Sequence, residues 1–193
     1  MANKYTEGLI MELYHHGILG MHWGVRRYQN KDGSLTKAGR ERYGYTSEDN
    51  VFVSGKVKYD QPISKDISDR VDEIVSAGAK IHIGDAPGAD TRVQEYLAEK
   101  GYLNGLVYTT DEKARNNVGH WEVKQISGKG YKDERRVRRQ KDIAMTTASN
   151  KGLAIMPIDD RRGSAMSKNV KRLKRHYKPV TIYDYNTGRY YYQ

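Results

Sequence analysis

From Val51 onward, apolar and polar positions alternate between two periods, and the switching predicts the elements. "VFVSG" (51–55) is a short run of β-formers, followed by Ile63, Ile67, Val71, Ile74 and Val75 at helical spacing up to Gly78. "AKIHIG" (79–84) is a second strand, after which Val93, Tyr96 and Leu97 mark the apolar face of a helix closed by Gly101. "GLVYTT" (105–110) is a third strand, and residues 111–130 are polar and glycine-containing, as expected of a loop or lid over the sheet's rim. A charged helix over about 133–148 leads to the strand "GLAIMP" (152–157). A last helix carries Met166, Val170, Leu173 and Tyr177 on its apolar face and ends before Pro179. "VTIYDYNTGRYYYQ" reads as a strand, a turn at Asn186-Thr187-Gly188, and a hairpin partner. Strands alternating with helices predict an α/β fold: a Rossmann-like, open, mainly parallel sheet flanked by helices, with a C-terminal hairpin.

Residues 1–48 lack this rhythm. The stretch "YHHGILGMHWGVRRYQNKDGSLTKAGRERYG" offers one short helix, ending at Gly44, and apolar residues (Ile18, Leu19, Met21, Trp23, Val25) that need another surface to cover them. The expected organisation is therefore a lead segment, 1–48, and a ligand-binding domain, 49–193, in a self-associating protein whose partner subunit or own domain surface covers the lead segment's apolar cluster. Residues 15–36 strongly resemble an N-terminal segment that recurs in proteins of phages and prophages of Gram-positive bacteria, where it precedes diverse domains.

Composition narrows the chemistry. The chain has no cysteine, which excludes disulfides and thiolate metal sites and suits a cytosolic protein. No apolar run approaches the roughly 18 residues that span a bilayer, so no membrane partner is expected. Spacing of His15, His16 and His22 fits no established zinc pattern, so no metal and no cofactor is expected. The net charge of +10 favours anionic partners. Its densest runs are "KDERRVRRQKD" and "KNVKRLKRHYK", read as solvated helix faces or, alternatively, as a nucleic-acid patch. No zinc-finger, RRM or helix-turn-helix pattern accompanies them. His120-Trp121 in the long loop is read first as packing and second as a base-stacking lid.

Ligands of open parallel sheets bind beyond the carboxyl ends of the strands. Three such ends carry small or unusual residues. The first strand ends in Ser54-Gly55; the second in Gly84, Asp85, Ala86, Gly88, Ala89 and Asp90; the fourth leads to Arg161, Arg162, Gly163 and Ser164. Glycines admit close backbone approach, helix N-termini attract phosphate, and the arginines add bidentate donors. Asp90 is read either as a helix N-cap or as an acceptor for ribose hydroxyls.

"VFVSGK…GDAPGADTRVQEYLAEKGY" and "KDIAMTTASNKGLAIMPIDDRRGSAMSKNVKRLKRHYKPVTIY" resemble the two halves of the SLOG superfamily, Rossmann-like domains that bind nucleotides and nucleotide-derived signals. The similarity spans residues 51–185. It implies a nucleotide-derived small molecule as ligand, and the superfamily includes phosphoribohydrolases, DNA-processing proteins and sensors of cyclic ADP-ribose-type messengers. The phosphoribohydrolase branch carries a glutamate after its glycine-rich turn, where this chain has Ser167 and Lys168. Asp85, Asp90, Asp159 and Asp160 are the carboxylates that could replace it, and no catalytic residue is assigned. Together the two resemblances imply a phage-encoded protein in the host cytoplasm that sequesters a cyclic ADP-ribose-type signal and blunts antiviral defence. The alternatives are an enzyme acting at an N-glycosidic bond of a nucleotide and a nucleic-acid-processing accessory protein.

Overall fold

The computed structural model describes residues 27–127, 133–160 and 163–193. Seven strands form one sheet: β1 (Asn50–Gly55), β2 (Lys80–Gly84), β3 (Gly105–Thr109), β4 (Glu122–Gln125), β5 (Lys151–Ile155), β6 (Val180–Asp184) and β7 (Arg189–Tyr192). Their order is β4-β3-β2-β1-β5-β6-β7. Every pairing is parallel except the β6–β7 hairpin, in which Asp184 lies opposite Arg189. The expected α/β architecture is present. The chain steps outward from β1 to β4 and then returns to β5 on the other side of β1, so the strand order reverses between β1 and β5.

That reversal sorts the helices onto opposite faces, as right-handed crossovers require. The short helix α1 (Lys37–Tyr43) precedes the sheet; α2 (Lys65–Ser76) and α3 (Ala89–Glu99) cover one face. There Val51, Val53, Ile81, Ile83, Val107 and Leu153 meet Ile67, Val71, Ile74, Val93 and Leu97 in the larger core cluster. The opposite face carries α4 (Glu134–Ala148) and α5 (Ala165–Arg175), where Phe52, Tyr108, Ala154 and Ile182 pack on Met145, Met166, Val170 and Leu173. Strands buried on both faces explain why their sequences read as continuous apolar runs.

Two expectations change, and a third feature is added. The 111–130 stretch holds an additional strand, β4, whose four residues "EVKQ" are all exposed. Apolar periodicity could not reveal an edge strand that buries neither face. The stretch is also no free lid: Trp121 is buried, its Nε1–H donates to the Tyr102 carbonyl at 2.6 Å, and the Val118 N–H donates to Gln94. Tyr177, expected on an apolar helix face, lies beyond the end of α5 and is 87 % exposed. Finally, the segment ahead of residue 48 joins the domain's packing where it is described. Thr36 caps α1, Tyr43 at its end is buried against Tyr192, and the Tyr43 carbonyl accepts from Arg70. The cluster Ile18–Val25 lies outside the described residues.

Candidate functional site

The reversal point between β1 and β5 is where an open parallel sheet leaves a crevice at its strand ends. A cavity of about 290 Å³ sits there. One wall is the end of β1 (Ser54, Gly55) running into Lys56, Val57 and Lys58; Ala86 and Asp90 adjoin it. The other wall comes from α4 (Lys141, Asp142, Met145) and the start of α5 (Ser164, Ala165, Met166, Asn169).

Asp90 is the group around which this wall is organised. It is the second residue of α3 and does not cap it: the N-cap is Gly88, with no side-chain bond. Its carboxylate instead reaches back to β1. Oδ1 accepts from the Ser54 hydroxyl at 2.8 Å and from the Gly55 N–H at 3.0 Å. Oδ2 takes no hydrogen bond from the described residues. Gly84 makes room for it, since a Cβ there would stand 2.5 Å from Oδ2. Burial pushes the Asp90 carboxyl up to about 6, against the opposing pull of its two hydrogen bonds. Asp142 is also raised by burial, opposed by Lys141 and by a hydrogen bond with Asn169.

Asp85, five residues earlier, faces the opposite situation. Its side chain is fully buried, yet Oδ1 pairs with Lys141 Nζ at 2.7 Å and with Arg115 at 3.0 Å, while Oδ2 accepts from Thr109 at 2.9 Å. Burial opposes its charge, but the donors outweigh burial and hold it well below the usual carboxylate range. With both oxygens engaged, Asp85 anchors the sheet end rather than presenting a free acceptor.

The glycine-rich loop serves packing more than phosphate. Gly88 has φ +86°, and a Cβ on it would lie 2.3 Å from the Val57 carbonyl oxygen. The Ala89 N–H, first in α3, already donates to the Lys56 carbonyl. Gly88→Val would therefore disturb the fold itself, since a β-branched residue meets backbone there in a left-handed conformation. At α5 the start is more open. Ser164 is the N-cap, accepting from the Ser167 N–H and bonding Asp160, which also pairs with Lys56 at 2.5 Å. Ala165 and Met166, which line the cavity, stand in the first turn of α5, where backbone amides have no intrahelical acceptor by position.

Of the residues expected at the site, Ser54, Gly55, Ala86, Asp90 and Ser164 line the cavity. Asp85, Gly84 and Ala89 lie behind it as support, Gly88 lines a separate shallow depression, and Gly163 is an exposed residue before the Ser164 cap. Arg161 and Arg162 lie outside the described residues. Sequence reasoning missed Lys141, Asp142, Met145 and Asn169. Lys141 had a signal: it falls four residues before Met145, on the buried stripe of α4. Among the described residues no group of three His, Asp or Glu side chains could hold a metal, and no helix is long and apolar enough to cross a membrane.

Residues 10–30 match the model of a family of unknown function (DUF7211). No curated protein matches the chain.

Proposed function

We propose that the protein binds a nucleotide-derived small molecule in the cavity between β1 and β5. The observation that carries this reading is Asp90: a buried carboxylate with one oxygen fixed by Ser54 and Gly55 and the other left for a ligand donor. Ribose hydroxyls are donors of that kind. Facing it, the uncommitted first-turn amides of α5 suit a phosphate, and Met145 and Met166 supply polarisable apolar surface for a base. The volume, near the lower end for small-molecule pockets, suits one nucleotide moiety.

The finer reading is a phage-encoded SLOG protein that holds a cyclic ADP-ribose-type signal and so blunts host defence. It draws its support from the two sequence resemblances. A second reading, cleavage or transfer at an N-glycosidic bond, gains one specific observation: an acid raised to about 6 beside a second raised carboxyl, Asp142, is suited to protonating a leaving group.

Calorimetry of the full chain with cyclic ADP-ribose, ADP-ribose and AMP tests binding, with recovery of each compound after heat release. Saturable binding of one of them, lost at least tenfold in Asp90→Asn, with the compound recovered intact, is expected. Conversion of many molecules per protein would replace sequestration with the glycosidic enzyme. No heat with any of the three, or an unchanged affinity in Asp90→Asn, would overturn the site.

A further inference from the structure

Among the helices that flank the sheet, positive charge is concentrated on one face. α4 and α5 together carry ten Lys and Arg against two Asp and Glu, whereas α2 and α3 on the opposite face carry three against seven. The two basic helices pack directly on each other. They run side by side, because Arg172 bonds Thr146 and Lys178 donates to the carbonyls of Thr146 and Thr147 at the end of α4. The outward side chains of Arg135, Arg136, Arg139, Lys168, Lys171 and Arg175 are exposed and pair with no carboxylate among the described residues. Together they form a basic track from Arg135 near the start of α4 to Arg175 at the end of α5.

At the far end of this track stands Tyr177. It is 87 % exposed, has φ +56°, and donates its N–H to the Lys174 carbonyl. This is the helix-terminating position where glycine is strongly preferred, because a side chain disfavours the left-handed backbone. An aromatic ring is thus presented to solvent at a conformational cost that glycine would avoid. Lys178, tied to α4, holds the turn that carries it.

We infer that the α4–α5 face binds single-stranded nucleic acid, with the basic track following the phosphates and Tyr177 stacking on a base. Cationic grooves combined with an exposed aromatic are the recognition chemistry of single strands. An anionic membrane would also attract the charge, but a membrane-surface helix needs apolar side chains to insert. Among the described residues the other large exposed hydrophobics, Val57, Leu103, Val118, Val123 and Ile158, lie off these two helices. The surface is distinct from the acceptor oxygen of Asp90 and does not depend on what the cavity holds.

Fluorescence anisotropy of the full chain with labelled (dT)20 and a labelled 20-base-pair duplex, over a salt series, is the test. Arg139→Glu/Lys171→Glu/Arg175→Glu should weaken (dT)20 binding by at least thirtyfold and reduce the salt slope by about 2, since each phosphate contact contributes about −0.7 for a single strand. Lys37→Glu/Lys65→Glu/Lys113→Glu changes the net charge equally at exposed positions off this face and should cost less than fivefold. Tyr177→Gly should raise the melting temperature, which excludes misfolding, yet weaken (dT)20 about fivefold and the duplex less than twofold. Equal losses in the two triple variants, absence of oligonucleotide binding, or binding only to phosphatidylserine vesicles would overturn the proposal. Unchanged (dT)20 affinity in Tyr177→Gly would remove the stacking ring from it.

Discussion

Asp85, in the loop after β2, and Asp90, in the first turn of α3, sit five residues apart, and their carboxyls are shifted in opposite directions. Asp85 is surrounded by Lys141, Arg115 and Thr109, which hold its charge in place. Asp90 is equally hidden from solvent but receives only a hydroxyl and one amide, both on the same oxygen. Burial disfavours charge in both; the number of donors decides how readily each carboxyl ionises. The contrast teaches where to look for function: a buried carboxylate whose valences are all filled is a fastener, and one with an unfilled oxygen beside a cavity is a candidate site.

The sharpest way to break this comparison is to remove the fastener. Asp85→Asn leaves the Lys141 ammonium, 5 % exposed, without its counter-charge, and stability should fall by about 3 kcal/mol at pH 7. A urea unfolding series showing a loss below about 1 kcal/mol would mean that Lys141 finds another outlet.

The same substitution at the other carboxylate should act in the opposite direction. Because the folded Asp90 binds its proton more tightly than the unfolded residue, ionisation costs stability as pH rises from about 4 through about 6. Asp90→Asn removes that cost and should stabilise the protein by roughly 2 kcal/mol at pH 8, fading to nothing near pH 4. Asp85 responds with the reverse sign: its contribution is full above the ordinary carboxylate range and is lost as pH falls below it. Melting temperatures of both variants against wild type between pH 4 and pH 8 would separate the two. A pH-independent gain in Asp90→Asn would show that its charge carries no penalty.

The smallest effect distinguishes the two cations at Asp85. Arg115 is 42 % exposed along its side chain, and solvent screens its pairing. Arg115→Ala should cost about 1 kcal/mol, well below the loss from Asp85→Asn. Equal losses would place the anchor's strength in Arg115 rather than in the buried Lys141.

Much of the architecture was legible because two periodicities can be read without coordinates. β1, β2, β3, β5 and β6, the helices between them and the terminal hairpin all announce themselves as apolar runs, helical stripes or a turn at Asn186-Thr187-Gly188. β4 did not, since an edge strand with four exposed residues leaves no hydrophobic signature. Tyr177 was misplaced because spacing continues the helical stripe past the point where the backbone turns left-handed.

The candidate site was legible as a set of loops and illegible as chemistry. That Ser54-Gly55, the 84–90 turn and the 163–164 turn lie at strand ends follows from sequence order alone, because parallel strands put all such turns on one edge of the sheet. Sequence also determined that Asp85 and Asp90 stand where β2 leads into the next helix. Only the tertiary structure decided their roles. Lys141 and Arg115 reach Asp85 from elements 56 and 30 residues away, and Ser54 reaches Asp90 from 36 residues away. A carboxylate's charge state depends on burial and on donors brought in across such distances, and no local pattern records which donors will arrive.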